Sequence, residues 1–411
     1  MKKVLIIGAV WVEPNSSAAG SRMLQLIELF LKEGYRISFA TTIQKTANAF
    51  DLNAIGVKEI LIELNASSFD DFIRDLDPLI VVFDRFMIEE QFGWRVADIC
   101  PNALRILDTE DLHSLRKSRH EAVKKGKKFL IENLLQSDIA KREIASILRC
   151  DLSLIISTFE MNLLKSVFKI NEKLLIHLPF LLTKIDVSKT ENWKPFNERK
   201  HFITVGNFLH APNVDAVMQL KKHIWPIIRK KLPNVEMHIC GAYPTQQILQ
   251  LHNQKEGFLI KGFVENASEV VSKAKVVLAP LQFGAGIKGK LVEAMQCGTP
   301  SVTTRIGAEG MHENLPWNGF VEDDFENFAL NAIQLYTDEK IWKNSQKNGI
   351  EIINQVYDKE RISHTFMNQL QNLQENLSKH RQQNFLGGLL QYHTLRSTKY
   401  MSKWIEEKNK N

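Results

Sequence analysis

The sequence predicts two Rossmann-like α/β domains in tandem, facing each other across a cleft. Three observations carry this. Short apolar runs alternate with amphipathic stretches along the first half of the chain. The alternation stops over residues 183–200 and then restarts. The length, 411 residues, suits two or three domains of ordinary size. Alternating β and α elements imply parallel sheets with helices on both faces.

Taken in order, Val4-Leu5-Ile6-Ile7 reads as a strand buried on both faces. Met23, Leu26, Ile27, Phe30 and Leu31 recur at helical spacing, and Gly34 ends that helix. Strands follow at Ile37 to Thr41, Leu79 to Phe83 and Leu104 to Leu107; Leu152 to Ser157 is the last clear one of this half. Ser114 to Cys150 reads as a long helical stretch broken at Gly126. It contains Lys124-Lys125-Gly126-Lys127-Lys128, which is either a solvated charged face or a contact for anionic lipid headgroups. Thr183 to Lys200 is polar, carries Pro195 and lacks apolar periodicity, as a linker does. Beyond it, strands are expected at Phe202 to Val205, Val235 to Cys240, Phe258 to Ile260 and Val276 to Ala279. Helices are expected at Val214 to Lys231, Phe325 to Tyr336 and Ile341 to Val356.

Composition narrows the function classes. Hydrophobic residues make up 44% and charged residues 24%, which argues against a disordered or fibrous chain. Lys+Arg is 53 against 47 Asp+Glu, a mild excess of +6 that suits a basic cleft and not a dedicated nucleic-acid binder. Cys100, Cys150, Cys240 and Cys297 stand far apart and read as buried small hydrophobes in a reducing compartment. The histidines show no metal-binding spacing, so no metal is expected. No apolar run reaches the roughly 18 residues that span a bilayer. The start, Met1-Lys2-Lys3 then Val4 to Val10, faintly resembles a secretion signal, but Trp11, Glu13 and Pro14 follow where small residues belong. A buried first strand and a cytoplasmic protein are the expectation.

The most informative stretch runs from Ala279 to Pro300. A buried strand ends at Pro280, a glycine-rich loop holds Gly284, Gly286 and Ile287, and a helix begins near Lys288. Exposed N–H groups at a helix N-terminus favour an anion such as a diphosphate. Gly284 and Gly286 let the backbone approach a ligand closely. Glu293, one turn into the helix, suits bidentate hydrogen bonds to ribose hydroxyls.

At these residues the sequence resembles the retaining GT-B glycosyltransferases of glycosyltransferase family 4. Glu293-Ala294-Met295 with Gly298 and Pro300 matches that family's donor-site signature, and Gly307-Ala308-Glu309-Gly310 is a further match. Gly206-Asn207-Phe208-Leu209-His210-Ala211-Pro212-Asn213 resembles a motif of one branch, and Lys261-Gly262-Phe263-Val264 sits where the family has a loop beside the nucleobase. The resemblance covers about residues 1 to 375 and is strongest in the second half. It implies a GT-B fold and metal-independent transfer of a sugar from a UDP- or GDP-linked donor to a glycan or lipid-linked acceptor, with retained configuration. No cofactor is implied beyond the nucleotide-sugar co-substrate. Polysaccharide or lipopolysaccharide assembly is the expected setting, with peripheral contact to an anionic membrane as a further expectation. Domains are expected at 1–185 (acceptor side) and 186–375 (donor side). The tail 376–411 is expected to pack back on the first domain, as the last helix of such enzymes does. Phe385, Leu386, Leu389 and Leu390 form one apolar stripe there and Trp404-Ile405 adds another. A helix lying on a membrane competes, because Lys399, Lys403, Lys408 and Lys410 are near.

The resemblance also implies site residues. Gly20-Ser21-Arg22 resembles the loop that faces the donor phosphates, though Ser21 as a plain helix cap explains it equally. His113, in Asp108-Thr109-Glu110-Asp111-Leu112-His113, is the candidate for the histidine near the sugar carbon. Arg116 and Arg119 either bind an anionic acceptor or balance Glu110 and Asp111. The family's usual Arg and Lys after the first donor-domain strand are here Asn207 and Pro212, so Lys288 and Lys290 inherit the diphosphate, with His210 as a weaker contact. The family's first glutamate falls at Ala285, which puts contacts to the sugar ring in doubt. That departure keeps two alternatives open: a nucleotide-sugar 2-epimerase, and a non-catalytic paralogue that binds nucleotide or glycan.

Overall fold

Seven segments of the first half pair in parallel into one sheet: β1 (Lys3–Ile7), β2 (Arg36–Thr41), β3 (Lys58–Leu61), β4 (Ile80–Asp84), β5 (Leu104–Asp108), β6 (Leu152–Ile155) and β7 (Leu175–His177). The computed structural model describes residues 2–392 together with Tyr400, Met401, Trp404 and Lys408. The strand order is β3-β2-β1-β4-β5-β6-β7. It reverses direction between β1 and β4, so the loops leaving these strands diverge and open a crevice at the carboxyl edge. Val4 to Ile7 and Ile80 to Phe83 are fully buried, because helices cover both faces. Helix α1 (Ala18–Lys32) buries Met23, Leu26, Ile27 and Phe30 on one face. On the other, the expected long helix is broken into α2 (His113–Lys124), a single turn at Ile131–Leu135, and α3 (Asp138–Arg149). Gly126, in a left-handed conformation, ends the first of them. Helix α4 (Thr158–Ser166) follows β6.

The second sheet contains β8 (Lys200–Val205), β9 (Met237–Cys240), β10 (Phe258–Gly262), β11 (Ala274–Ala279), β12 (Ser301–Thr303) and β13 (Gly319–Val321). Its order is β10-β9-β8-β11-β12-β13, again all parallel, with the reversal between β8 and β11. Helix α5 (Gly289–Gln296) leaves the loop after β11. Strands β3, β7, β12 and β13 were not expected. Each has only three or four residues, and β3 is a polar edge strand, so none makes an apolar run.

The segment 183–200 is less free than a polar linker. Phe196 is buried and Arg199 is fully buried, its guanidinium donating to Thr299 Oγ1 at 2.6 Å and to the Cys297 carbonyl. Two chain crossings between the sheets run side by side, since Leu182 N–H donates to Tyr357 O and Lys359 N–H to Leu182 O.

After the second crossing, α6 (Lys359–Glu375) lies against the first sheet, burying Ile362, Phe366, Leu370 and Leu373 beside α1. Two short helices follow, α7 (Leu377–Gln383) and α8 (Phe385–Gln391). They dock through polar groups. Arg381 binds both carboxylate oxygens of buried Asp151 at 2.7 Å and the carbonyls of Pro101 and Ala103. His380 meets Asp151 O, and Asn384 donates to Leu148 O at 2.8 Å. The expected apolar stripe therefore needs correction: Phe385, Leu386, Leu389 and Leu390 face outward and make no core. Ile405, Lys399, Lys403 and Lys410 lie outside the described residues. All four cysteines are buried and unbridged. No helix among the described residues is long and apolar enough to cross a membrane.

Arg381→Ala should lower stability by about 2–4 kcal/mol, because it leaves the Asp151 carboxylate buried with its main partner gone. The exposed neighbour variant Lys379→Ala should stay within about 0.5 kcal/mol. Urea unfolding midpoints of the two variants make the comparison.

Candidate functional site

The two strand-order reversals face each other, and the loops leaving them form the site. On the second-sheet side, Lys290 lies in the first turn of α5. Its Nζ donates to Asn213 Oδ1 at 2.8 Å, and Asn213 Nδ2 donates to Asn207 O at 2.8 Å. The Pro212-Asn213 motif thus aims a lysine. Among the described residues Asn213 is its one hydrogen-bond partner. Burial lowers its ammonium to about 8. Lys288, the residue preceding the helix, is buried and donates to Gly286 O at 2.8 Å. Burial lowers it to about 8 as well, with Glu309 and Glu160 acting the other way. Lys288 is thus not a solvated lysine.

Glu293, one turn on, is half-buried and accepts from Ser268 Oγ at 3.0 Å; burial raises its carboxyl. Val264 packs on the apolar cluster of this half while Phe263 stays exposed, so the loop after β10 offers a free ring. Ile287 is buried in the same cluster. Gly206 closes against Asn213, where a Cβ would lie 2.8 Å from its side chain. His210 stands exposed at the cleft, within the fields of Arg116, Asp111 and Lys290.

On the first-sheet side, Asp84 and Asp108 end the adjacent strands β4 and β5 in register. Asp84 accepts from Ala9 N–H at 3.0 Å through one oxygen and leaves the other buried and unpartnered. Arg22 holds Asp108 at 2.6 Å and the Leu178 carbonyl at 2.9 Å. This corrects the expectation for Arg22: its guanidinium is buried and committed within the first domain. Ser17 caps α1, accepting from Gly20 N–H at 3.0 Å. Gly20 and Ser21 lie in the first turn, with Ser21 Oγ donating to Pro14 O at 2.8 Å. Ser21 is therefore not the cap.

Glu110 is buried beside Asp108, and burial with that neighbour pushes its carboxyl well above the usual range. Arg85 and Glu110 both adopt positive φ, 73° and 59°, immediately after their strands. His113 opens α2, with Nε2 3.4 Å from Asp111 Oδ1 and its ring edge-on to Phe86. Burial pulls its imidazole down to about 4, so it is neutral at pH 7. Burial raises Asp111, but Arg116 at 2.7 Å and His113 outweigh it and hold the carboxyl below its ordinary range.

Several contacts join the walls: Asn207 donates to Ser16 O, Tyr243 meets Glu13 and Asn48, and two buried groups bridge the centre. Glu160 Oε1 accepts from Leu112 N–H at 2.9 Å in the first domain and from Gly286 N–H at 3.0 Å in the second. Burial and nearby Asp111 raise its carboxyl to about 7. Arg119 forks onto Glu309 at 2.7 and 2.8 Å and donates to Gly284 O at 2.9 Å. Arg119 thus pairs across the cleft, not with Glu110 or Asp111. A cavity of about 310 Å³ opens beside Glu309, walled by Phe159 and Asn162 on one side and Arg305, Gly310 and His312 on the other. Sequence reasoning missed Glu160, because Ser157 three residues earlier makes it look like half of a capping box. It also missed Asp84-Arg85, whose only signal is a charged pair closing an apolar run.

The histidines cluster after all at one place. His201, Glu236 and His238 bring potential ligand atoms within 4.8 Å of one another. They sit at the opposite end of the second sheet. His201 Nδ1 accepts from Glu236 N–H at 3.1 Å, so its Nε2 carries the proton and has no lone pair for an ion. His238 Nε2 is engaged with Glu236 at 2.7 Å.

Comparison with known proteins follows this geometry. Residues 199–338 match the family of glycosyl transferases group 1, so the second half carries a domain of that kind. No curated protein sequence matches the chain. Among solved structures it is similar to sucrose-phosphate synthase from Thermosynechococcus elongatus, at 14% identity over 91% of this chain and 99% of that one, TM-score 0.68. It is similar to a TarM variant of S. aureus in complex with Fondaparinux, alpha-GlcNAc-glycerol and UDP, at 12% identity over 90% and 99%, TM-score 0.69. It is also similar to Anabaena HepE in complex with UDP and glucose, at 13% identity over 90% and 100%, TM-score 0.62. The architecture is GT-B.

Gly286 tests the contact between the walls. Its φ is +62°, and a Cβ there would lie 2.9 Å from Asp111 Cβ in the other domain. Gly34 has φ +77° with nothing within 4 Å. Each alanine variant should lose the roughly 1–2 kcal/mol of a left-handed residue. Gly286→Ala should lose more, and should enlarge the radius of gyration by small-angle scattering. Equal melting temperatures and equal radii for the two variants would count against the packed interface.

Proposed function

We propose that this chain is a glycosyltransferase that moves a sugar from a nucleoside diphosphate sugar to a glycan or lipid-linked acceptor, with retention and without a metal. The observation that carries the reading is Lys290. Its partly buried ammonium sits in the first turn of α5, where the helix dipole disfavours cations, and only a neutral amide meets it. An anion seated between this lysine and the helix N-terminus removes the conflict. The match of residues 199–338 to group 1 glycosyl transferases supports the donor assignment. Complexes of Anabaena HepE and S. aureus TarM with UDP favour uracil over guanine as the base.

On this reading, the bond from the sugar carbon to the diphosphate breaks while the acceptor oxygen bonds to that carbon. The acceptor's proton leaves with the phosphate. Lys288, Lys290 and the first N–H groups of α5 receive the developing charge, a role preorganised dipoles and cations fill without reorganisation. Glu293 binds the ribose. His113, neutral at pH 7, offers the sugar a hydrogen bond and no competing charge. Gly286 N–H reaches the diphosphate only after Glu160 releases it, so donor entry is coupled to parting of the two walls.

Turnover is read as nucleoside diphosphate released on adding acceptor to a UDP-sugar. Lys290→Ala should lower it about 100-fold or more, the scale of one lost charge-stabilising group. Lys288→Ala should also cost activity, because Lys288 is buried against the loop. The wild-type rate should persist in EDTA. A double alanine variant with near-normal turnover would sink the assignment, and rescue of an EDTA-inhibited enzyme by a divalent ion would sink the metal-free chemistry.

Nucleotide affinity should also depend on pH. Both lysines lose their protons near pH 8 in the empty site, and a bound diphosphate favours the charged form. Affinity for UDP should therefore be highest below pH 8 and fall by pH 9 by up to about tenfold for each lysine, about a hundredfold for both, as proton linkage requires. Lys290→Arg, which stays charged throughout, should flatten the profile. Calorimetric titration with UDP between pH 7 and 9 gives the readout.

A further inference from the structure

The polarity of α8 is inverted. A surface helix ordinarily turns its apolar side inward and its polar side to water. Here Asn384 and Gln391 fix the helix to the carbonyls of Leu148 and Arg149, at 2.8 and 3.0 Å. Gly387 makes the close approach, since a Cβ there would lie 2.1 Å from Leu148 O. With those three positions facing α3, Phe385, Leu386 and Leu389 are 77%, 59% and 54% exposed, and Leu390 and Tyr392 are exposed beside them. Farther on, Tyr400, Met401 and Trp404 are helical and exposed, and Lys408 Nζ lies 5.1 Å over the Trp404 ring.

Charge is concentrated in the same segment. Residues 377–411 hold seven Lys or Arg (Lys379, Arg381, Arg396, Lys399, Lys403, Lys408, Lys410) against two Glu, which accounts for five of the chain's six net positive charges. We propose that this C-terminal segment docks the protein on an anionic lipid bilayer. Phe385, Leu386, Leu389 and Leu390 enter the boundary between headgroups and acyl chains, and exposed lysines such as Lys379 and Lys408 meet the anionic headgroups, while Arg381 stays committed to Asp151. Aromatic and leucine side chains flanked by lysine and arginine suit that boundary. A second copy of the chain suits the face poorly, because two segments of the same strong positive charge would be brought together. The lysine-rich loop at 124–128 is a different case. Its neighbour Phe129 is turned inward, packed on the first-domain core and under Arg119, and Leu130 alone beside it is exposed, so that loop offers charge with no aromatic group to insert.

The proposal goes beyond the transferase reading and is tested without donor or acceptor. The full chain is sedimented with vesicles of phosphatidylcholine, with and without about 30% phosphatidylglycerol. Partitioning onto the anionic vesicles should exceed that onto the neutral ones by about tenfold or more. Phe385→Ser with Leu389→Ser should lower anionic partitioning by at least about tenfold, with the melting temperature unchanged because both side chains are exposed. Lys399→Gln with Lys403→Gln should lower it while leaving the residual neutral binding alone. No sedimentation of the wild type with anionic vesicles would overturn the proposal, as would equal sedimentation of the serine variant. So would light scattering that finds a wild-type dimer and a monomeric serine variant, which would make the face a contact between copies.

Discussion

The arrangement of the site depends on one buried carboxylate. Glu160 holds an N–H from each domain, Leu112 on one side and Gly286 on the other, through the same oxygen. A buried charge is tolerated only with such partners, and losing them would cost several kcal/mol. Through Gly286 the carboxylate sets the glycine-rich loop after β11 against the first domain. Through Leu112 it fixes the turn that carries Asp111 and His113. The glycine-rich loop and the turn that carries His113 are therefore tied to one group. Its carboxyl stands near 7, so a proton or a competing anion can loosen the link without unfolding either sheet.

Around this point both walls gather charged groups of both signs. The first-domain edge gathers Asp84, Asp108 and Glu110 against Arg22 and Arg85, an excess of acid buried at the strand ends. The second-domain edge presents Lys288 and Lys290 together with Glu293 and Glu309. Backbone strain sits at the same edge, with Arg85 and Glu110 in positive φ at the exits of paired strands, each costing about 1–2 kcal/mol. Strain of this kind persists where surrounding structure over-determines it, and gathers at ligand sites.

How much of this was legible follows from the range of each signal. The long buried strands β1, β4 and β11 show as apolar runs, and α1 as a 3.6-residue period, so both sheets were visible. The three-residue β12 and β13 lack any run and exist because their neighbours offer an open edge. At the site, local order was readable: a strand, glycines, lysines and Glu293 follow one another in the sequence. Pairings across the cleft were not. Arg22 looked free to meet phosphate because nothing local reveals Asp108, 86 residues away. Arg119 looked matched to Glu110 and Asp111 nearby, yet it reaches Glu309, 190 residues on. The tail misled differently. Its apolar stripe was plain, but which face docks was decided by Asn384, Gly387 and Gln391, residues whose polarity said nothing of burial.

Ala285 follows from the same closure. It lies between two occupied loop positions and packs on the apolar cluster of the first domain with Phe159. Gly284 O is taken by Arg119, which carries Glu309, and Gly286 N–H is taken by Glu160. Two carboxylates already meet the loop, balanced by Arg119 and Lys288. A third at position 285 would be half-buried against apolar side chains with Arg119 and Lys288 already engaged, which disfavours a charge there. Closing the loop on an apolar floor thus removes the place for a glutamate. The loop instead gains a carboxylate from Glu309, attached through Arg119 to Gly284. An acid beside the glycine-rich loop is retained, supplied from the segment after β12 and held there by a residue of the other domain.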